Sequence, residues 1–168
     1  ATALQAAGVM PGDRVAFLCP NIPPMLEAHY SVPLAGGVLV PINTRLSSSE
    51  IAYILHHSGA KVLCVDTELA DLIRPIRAQL PQLKTLINIV DGEYGEGLEG
   101  PDYETFLASG TDELLDKPVE DENAPISLNY TSGTTGNPKG VVYTHRSAYL
   151  NALDAMLEMG VNSHSTYL

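Results

Sequence analysis

The chain has 168 residues, 45% of them apolar, and a formal charge of −11, which suits one domain with its own core or part of a larger one. No apolar run reaches the roughly 18 to 20 residues that a membrane-spanning helix needs. Twelve acids and a single base, Lys117, fall between Asp91 and Glu122, so this segment carries the whole excess charge; with no basic stripe elsewhere, nucleic acid is excluded as a partner.

In chain order, the start ATALQAAG lacks the basic flank and apolar centre of a signal peptide. It also lacks an initiator Met, and the end NSHSTYL carries no structural stop, so a piece of a longer chain is expected. Four continuously apolar runs follow, RVAFLC (14–19), GVLVPI (37–42), KVLCVD (61–66) and TLINIV (85–90). Continuous rather than alternating apolarity marks strands buried on both faces. Their starts lie 23 to 24 residues apart, room for one crossover helix and two loops, the rhythm of a βαβ sheet. Cys19 and Cys64 sit inside these runs with no CxxC and no Cys/His cluster. They read as buried thiols of a reducing compartment, the cytoplasm, rather than as zinc ligands.

The intervening helices have readable ends. Asn21 is expected to cap the first, with Pro23 and Pro24 in its opening turn, Pro33 tightening its last turn and Gly36 and Gly37 ending it. Ser47 and Glu50 have capping-box spacing before Ile51, Ile54 and Leu55, and Gly59 supplies the stop. Thr67 opens a third helix to about Leu80, interrupted at Pro75. His56 and His57 fall at a helix end, and with His29 and His164 they show no metal spacing, so all four read as surface or packing residues.

DGEYGEGLEGP reads as a loop, and PDYETFLASG as one short helix with Tyr103, Phe106 and Leu107 on its apolar side. PISLNY (125–130) and VVYT (141–144) are further strands. His145 to Met159 is a helix with Tyr149, Leu153 and Met156 on one face and Leu150 and Leu157 beside it. The fold class is therefore α/β, a mostly parallel sheet with crossover helices. It divides into a βαβ-type segment (1–90), an acidic connector (91–123) and a loop with flanking strands and helix (124–168).

That loop is YTSGTTGNPKG, Tyr130 to Gly140. No Asp or Glu lies between Glu122 and Asp154, whereas Lys139, His145 and Arg146 do. Glycines let backbone N–H groups approach a ligand, hydroxyls add donors and a lysine adds positive charge. Together these bind a polyphosphate, although the same residues also build ordinary turns. A Walker P-loop does not fit: Pro138 replaces the glycine before Lys139, Gly140 replaces the Ser or Thr after it, and a strand follows instead of a helix. Thr144 reads as a helix cap and Arg146 as a surface residue.

SGTTGNPKG, preceded by Tyr130 and Thr131 and followed by VVYTH, resembles the AMP-binding signature of the adenylate-forming enzymes. The residues from GVMPGDRVAFLC to KVLCVD resemble the same family's N-terminal region, and PINTRLSSSEIAYIL resembles its acyl-CoA synthetase branch. The resemblance implies a ligase. A carboxylate, here a fatty or other hydrophobic acid, attacks the α-phosphorus of ATP, and the acyl-adenylate then passes to coenzyme A. It assigns Thr131, Ser132, Gly133, Thr134, Thr135, Gly136 and Lys139 to the β- and γ-phosphates. It places the adenine pocket, the Mg²⁺-holding glutamate and a catalytic lysine beyond this chain, so neither a catalytic residue nor a metal ligand is expected within it, and the chain alone is expected to be inactive. A sheet cut partway would also leave an exposed edge and apolar patches. The competing readings are a peptide-synthetase or luciferase-like adenylating domain, a non-catalytic nucleotide-binding module and a plain α/β scaffold. Chain length of the acid and oligomeric state are not written in these residues.

Overall fold

The computed structural model describes residues 1–92, 95–113, 115, 118–131 and 137–166. Its framework is one six-stranded sheet. The four apolar runs form β1 (Arg14–Leu18), β2 (Val38–Pro41), β3 (Val62–Asp66) and β4 (Thr85–Ile89), and the chain adds β5 (Pro125–Thr131) and β6 (Lys139–Thr144). The order is β4-β3-β1-β2-β5-β6, with every neighbouring pair parallel except β5 and β6.

Both faces of the central strands are covered, which is why those strands carry no polar alternation. On one face Val15 and Phe17 of β1 meet Met25, Ala28 and Val32 of α2 (Pro23–Leu34), with Ala3 and Leu4 of α1 (Thr2–Ala6) and Tyr103 and Phe106 of α5 (Tyr103–Ala108). On the other, Ala16 and Leu18 meet Ile51, Ile54 and Leu55 of α3 (Ser48–Ser58) and Ile73 of α4 (Ala70–Ile73). Each fully buried aliphatic side chain contributes about 1.5–3 kcal/mol relative to exposure.

The helix ends follow local chemistry. At α3, Ser47 Oγ accepts from the Glu50 N–H and the Glu50 carboxylate accepts from the Ser47 N–H at 2.9 Å, while Gly59 closes the helix at φ +63°. The Arg14 guanidinium then donates to the carbonyls of Ser58 and Gly59, satisfying the last turn. At α2 the expected cap is displaced by one residue: Ile22, not Asn21, is the N-cap and lies extended at φ −115°, ψ 168°. The proline after it disfavours the helical region for Ile22 and fixes the first helical position at Pro23. Asp66 rather than Thr67 caps the next segment, its carboxylate accepting from the Glu68 N–H. That segment is not one helix but a 3₁₀ turn (Thr67–Leu69), α4 and a second 3₁₀ stretch (Arg74–Gln79) around Pro75.

Within the acidic stretch, Asn88 of β4 ties down the chain on either side of Gly100. Its amide donates to the Leu98 and Gly100 carbonyls, and its carbonyl accepts from the Leu98 N–H at 2.7 Å. Asp102 caps α5 through the Thr105 N–H.

The far side of the sheet differs. β5 meets β2 at one registered pair, Leu39 with Ser127, and β2 ends two residues later at Pro41, which has no N–H to donate. β6 is an edge strand with Val141, Val142 and Tyr143 exposed. The helix after it, α6 (His145–Glu158), buries none of its residues, and Leu157 is 82% exposed.

Candidate functional site

Because β5 and β6 pair antiparallel, the two ends of YTSGTTGNPKG lie side by side. Tyr130 lies opposite Gly140 and Thr131 opposite Lys139, the last described rung. Asn137 and Pro138 are described beyond it, whereas Ser132, Gly133, Thr134, Thr135 and Gly136 lie outside the described residues. Of the seven residues assigned to phosphate, the structure therefore places Thr131 and Lys139. They are directly across the ladder, so they share one face of the sheet with Cβ atoms about 4.5–5.5 Å apart. Both are exposed. A hydroxyl and an ammonium group thus leave the sheet side by side, and among the described residues no carboxylate pairs with Lys139.

The rung also has a position in the fold. β5 runs parallel to β2, so its last residue lies at the carboxyl edge of the parallel strands, the edge where open α/β sheets bind ligands.

The two other cations of the acid-free window are elsewhere. β6 carries the chain away from the tip, and Thr144 ends opposite Pro125 at the start of β5. Five residue steps at about 3.4 Å put Thr144 about 17 Å from Lys139 along the strand. His145 and Arg146 begin α6 there, and the Arg146 guanidinium is paired with the Glu122 carboxylate. Sequence proximity had grouped the three cations; the strand separates them. Thr144 does cap the helix, its Oγ1 accepting from the Ser147 N–H at 3.1 Å.

Below the tip lies a contact that sequence reasoning missed. The His57 Nδ1 is 2.7 Å from the Tyr130 hydroxyl. The His57 ring stacks on Tyr53 with centroids 5.4 Å apart, and meets Tyr130 edge-on at 5.8 Å and 85°. Burial raises the Tyr130 phenol above its ordinary pKa, the nearby Tyr53 adds to this, and Arg14 opposes it. Tyr53 and His57 are four residues apart on one helical face, so their stacking was available to inspection; their junction with a strand 73 residues later was not.

Among the described residues no three His, Cys, Asp or Glu side chains converge as a metal site, and no helix is long and apolar enough to cross a membrane. Cys19 and Cys64 are both buried and unbridged. Burial raises the Cys19 thiol to about 12, reinforced by the Asp66 and Asp91 carboxylates, so it is unreactive at neutral pH.

The comparisons with known proteins agree with one another. The family model described as AMP-binding enzyme matches residues 1–168. A peroxisomal butyrate–CoA ligase of Arabidopsis thaliana is 41% identical over 174 residues, 96% of this chain and 30% of the relative. An acetate–CoA ligase of Humulus lupulus is 41% identical over 182 residues, 100% of this chain and 32% of the relative. Among solved structures, the anthranilate–CoA ligase in complex with anthranoyl-AMP has a TM-score of 0.83 at 31% identity, covering 90% of this chain and 29% of that one. A long-chain-fatty-acid–CoA ligase of Archaeoglobus fulgidus has a TM-score of 0.82 at 27% identity, covering 96% and 31%. The chain spans about 30% of the length of the curated relatives it matches.

Proposed function

From a chain that belongs to the AMP-binding enzyme family, we propose that these residues supply the polyphosphate-gripping part of an ATP-dependent carboxylate–CoA ligase. The observation that carries the reading is the pairing of Thr131 with Lys139 at the mouth of a glycine- and hydroxyl-rich hairpin on the carboxyl edge of the sheet.

In the reaction proposed for the whole protein, a carboxylate oxygen forms a bond to the α-phosphorus of ATP as the bond to the β-phosphate bridge breaks, releasing pyrophosphate. The thiol sulfur of coenzyme A then forms a bond to the acyl carbon, and AMP leaves. The first step brings a carboxylate against a triphosphate and builds charge on the leaving pyrophosphate, so donors aimed at that charge lower its barrier. Thr131, Ser132, Gly133, Thr134, Thr135 and Gly136 are assigned hydrogen bonds to β- and γ-phosphate oxygens, and Lys139 the neutralising charge. Their contribution is binding and electrostatics, with no covalent nucleophile. Magnesium enters as the counter-ion of ATP.

The acid is read as a hydrophobic one, in line with relatives named for butyrate, trans-cinnamate and benzoate, while others are named for acetate and 4-hydroxybutyrate. The three stretches 1–90, 91–123 and 124–168 are read as consecutive parts of one AMP-binding domain. The cytoplasm is the proposed compartment, supported by two free buried cysteines, although relatives such as the butyrate–CoA ligase are named peroxisomal.

The test is ³¹P NMR of the chain with tripolyphosphate and with Mg·ATP. The β and γ resonances are expected to broaden with wild type and to broaden markedly less, at equal concentrations, with Lys139→Ala. Equal broadening by both proteins, or none by either, refutes the assignment.

A further inference from the structure

The upper end of the β5–β6 hairpin has little holding it to the sheet. Its one registered pair with β2 is at Ser127, four residues before Thr131, and among the described residues β6 has no neighbour on its other side. What does reach the upper end is α3. We propose that His57 is a positioning residue for the phosphate-facing rung formed by Thr131 and Lys139, acting through Tyr130. The proposal rests on the reading of that rung as part of the phosphate site.

The geometry supports transmission at each step. The last turn of α3 is itself fixed: the Gly59 N–H donates to the His56 carbonyl at 3.0 Å, the Ala60 N–H to the Leu55 carbonyl at 3.2 Å, and Arg14 holds the Ser58 and Gly59 carbonyls. His57 is held against Tyr53 by ring stacking. From there its Nδ1 meets the Tyr130 hydroxyl at 2.7 Å. A tyrosine hydroxyl can donate or accept, so the bond survives either tautomer of the imidazole.

Tyr130 is confined on its other sides as well. Opposite it Gly140 has no side chain, and a Cβ there would lie 3.4 Å from Tyr130 Cζ and 2.9 Å from Leu128 Cδ1. The Tyr130 ring therefore occupies the space over Gly140, bounded by His57 and Leu128. Thr131 is the next residue, and its side chain points to the opposite face beside that of Lys139. The ladder sets the spacing of Thr131 and Lys139, and the side-chain bond on the other face fixes where that rung sits relative to α3.

The experiment compares wild type with His57→Ala, Tyr130→Phe and His57→Asn, with His56→Ala and Lys139→Ala as controls. Two quantities are read: affinity for tripolyphosphate, and amide hydrogen exchange at residues 129–131 and 139–141 against Leu63 in the buried centre of β3. Loss of one hydrogen bond corresponds to a change of about fivefold. Affinity is expected to fall about fivefold, and exchange near the tip to accelerate by a similar factor, in His57→Ala and Tyr130→Phe. Exchange at Leu63 and the behaviour of His56→Ala are expected not to change. His57→Asn, which keeps a hydrogen-bonding group near the Nδ1 position, is expected to recover most of the loss.

Unchanged affinity in His57→Ala and Tyr130→Phe overturns the proposal while a working Lys139→Ala control leaves the phosphate site standing. Acceleration at Leu63 equal to that at the tip also overturns it, by reducing the contact to general packing. If tripolyphosphate binding does not depend on Lys139, the reading of the loop fails and the proposal fails with it.

Discussion

Lys139→Ala and Arg146→Ala make a pair of perturbations whose effects on anion binding are separated by the strand between them. Lys139 stands on the last rung before the loop, whereas Arg146 lies beyond the other end of β6 and is paired with Glu122. An ammonium group about 4 Å from a phosphate oxygen gains about 1 kcal/mol in water and about 4 kcal/mol at an effective dielectric of about 20. Lys139 is exposed, so the lower part of that range applies, and about 1.4 kcal/mol corresponds to a tenfold loss of affinity. At about 17 Å in water the same pair of charges gains about 0.2 kcal/mol. A Debye length of about 8 Å at physiological salt reduces that to roughly a tenth. Calorimetric titration with tripolyphosphate at physiological ionic strength is therefore expected to show about tenfold weaker binding for Lys139→Ala and no measurable change for Arg146→Ala. Comparable losses in the two variants would place the anion elsewhere than the hairpin tip and refute the electrostatic argument.

Three more outcomes follow from the same structure. Gly100→Ala would place a Cβ 2.2 Å from the Leu86 carbonyl oxygen at φ +152°, a clash with backbone in a region that L residues avoid, so thermal unfolding should report a loss of about 2–4 kcal/mol; Gly140→Ala, which meets the movable Leu128 methyl, should lose less than about 1 kcal/mol. Burial disfavours ionised Asp13, but its bonds to Lys61 and the Met10 N–H outweigh burial and hold its pKa below the ordinary value; the stability it contributes is present above the unfolded carboxylate pKa and lost as pH falls through the lower folded one, so Asp13→Asn should flatten the acid side of a stability–pH curve. Finally, the chain incubated with Mg·ATP, butyrate and coenzyme A should release no pyrophosphate, and sustained release would contradict the placement of the remaining machinery outside these residues.

Much of the fold was legible because its strands are buried on both faces. Runs such as VLCV in β3 have one reading once a helix-length spacer recurs between them, and Ser47, Glu50 and Gly59 mark the ends of α3 unambiguously. The cap of α2 moved by one residue because the restriction that Pro23 imposes on Ile22 outweighs the capping preference of Asn21. The five-residue α1 was not anticipated, since a single turn of small residues carries no periodicity. In α6 the pattern identified a helix, but Tyr149, Leu150 and Met156 remain exposed, because periodicity reports a face and not what covers it. At the site, residue types indicated phosphate chemistry. Where the groups stand was hidden by strand direction, which brings Thr131 to Lys139 and carries Arg146 away, and by the long-range pairing of His57 with Tyr130.

Among the described residues, every buried hydrophobic side chain lies between Ala3 and Phe106. The hairpin and α6 are joined to that mass through a single registered strand pair and a few half-buried side chains such as Leu128 and Tyr130. Cooperativity is therefore expected to be unequal along the chain, with the amides of β5, β6 and α6 exchanging hydrogen faster than those of β1 to β4. An anion bound at the tip would stabilise these elements first, slowing their exchange before raising the temperature at which the whole molecule melts.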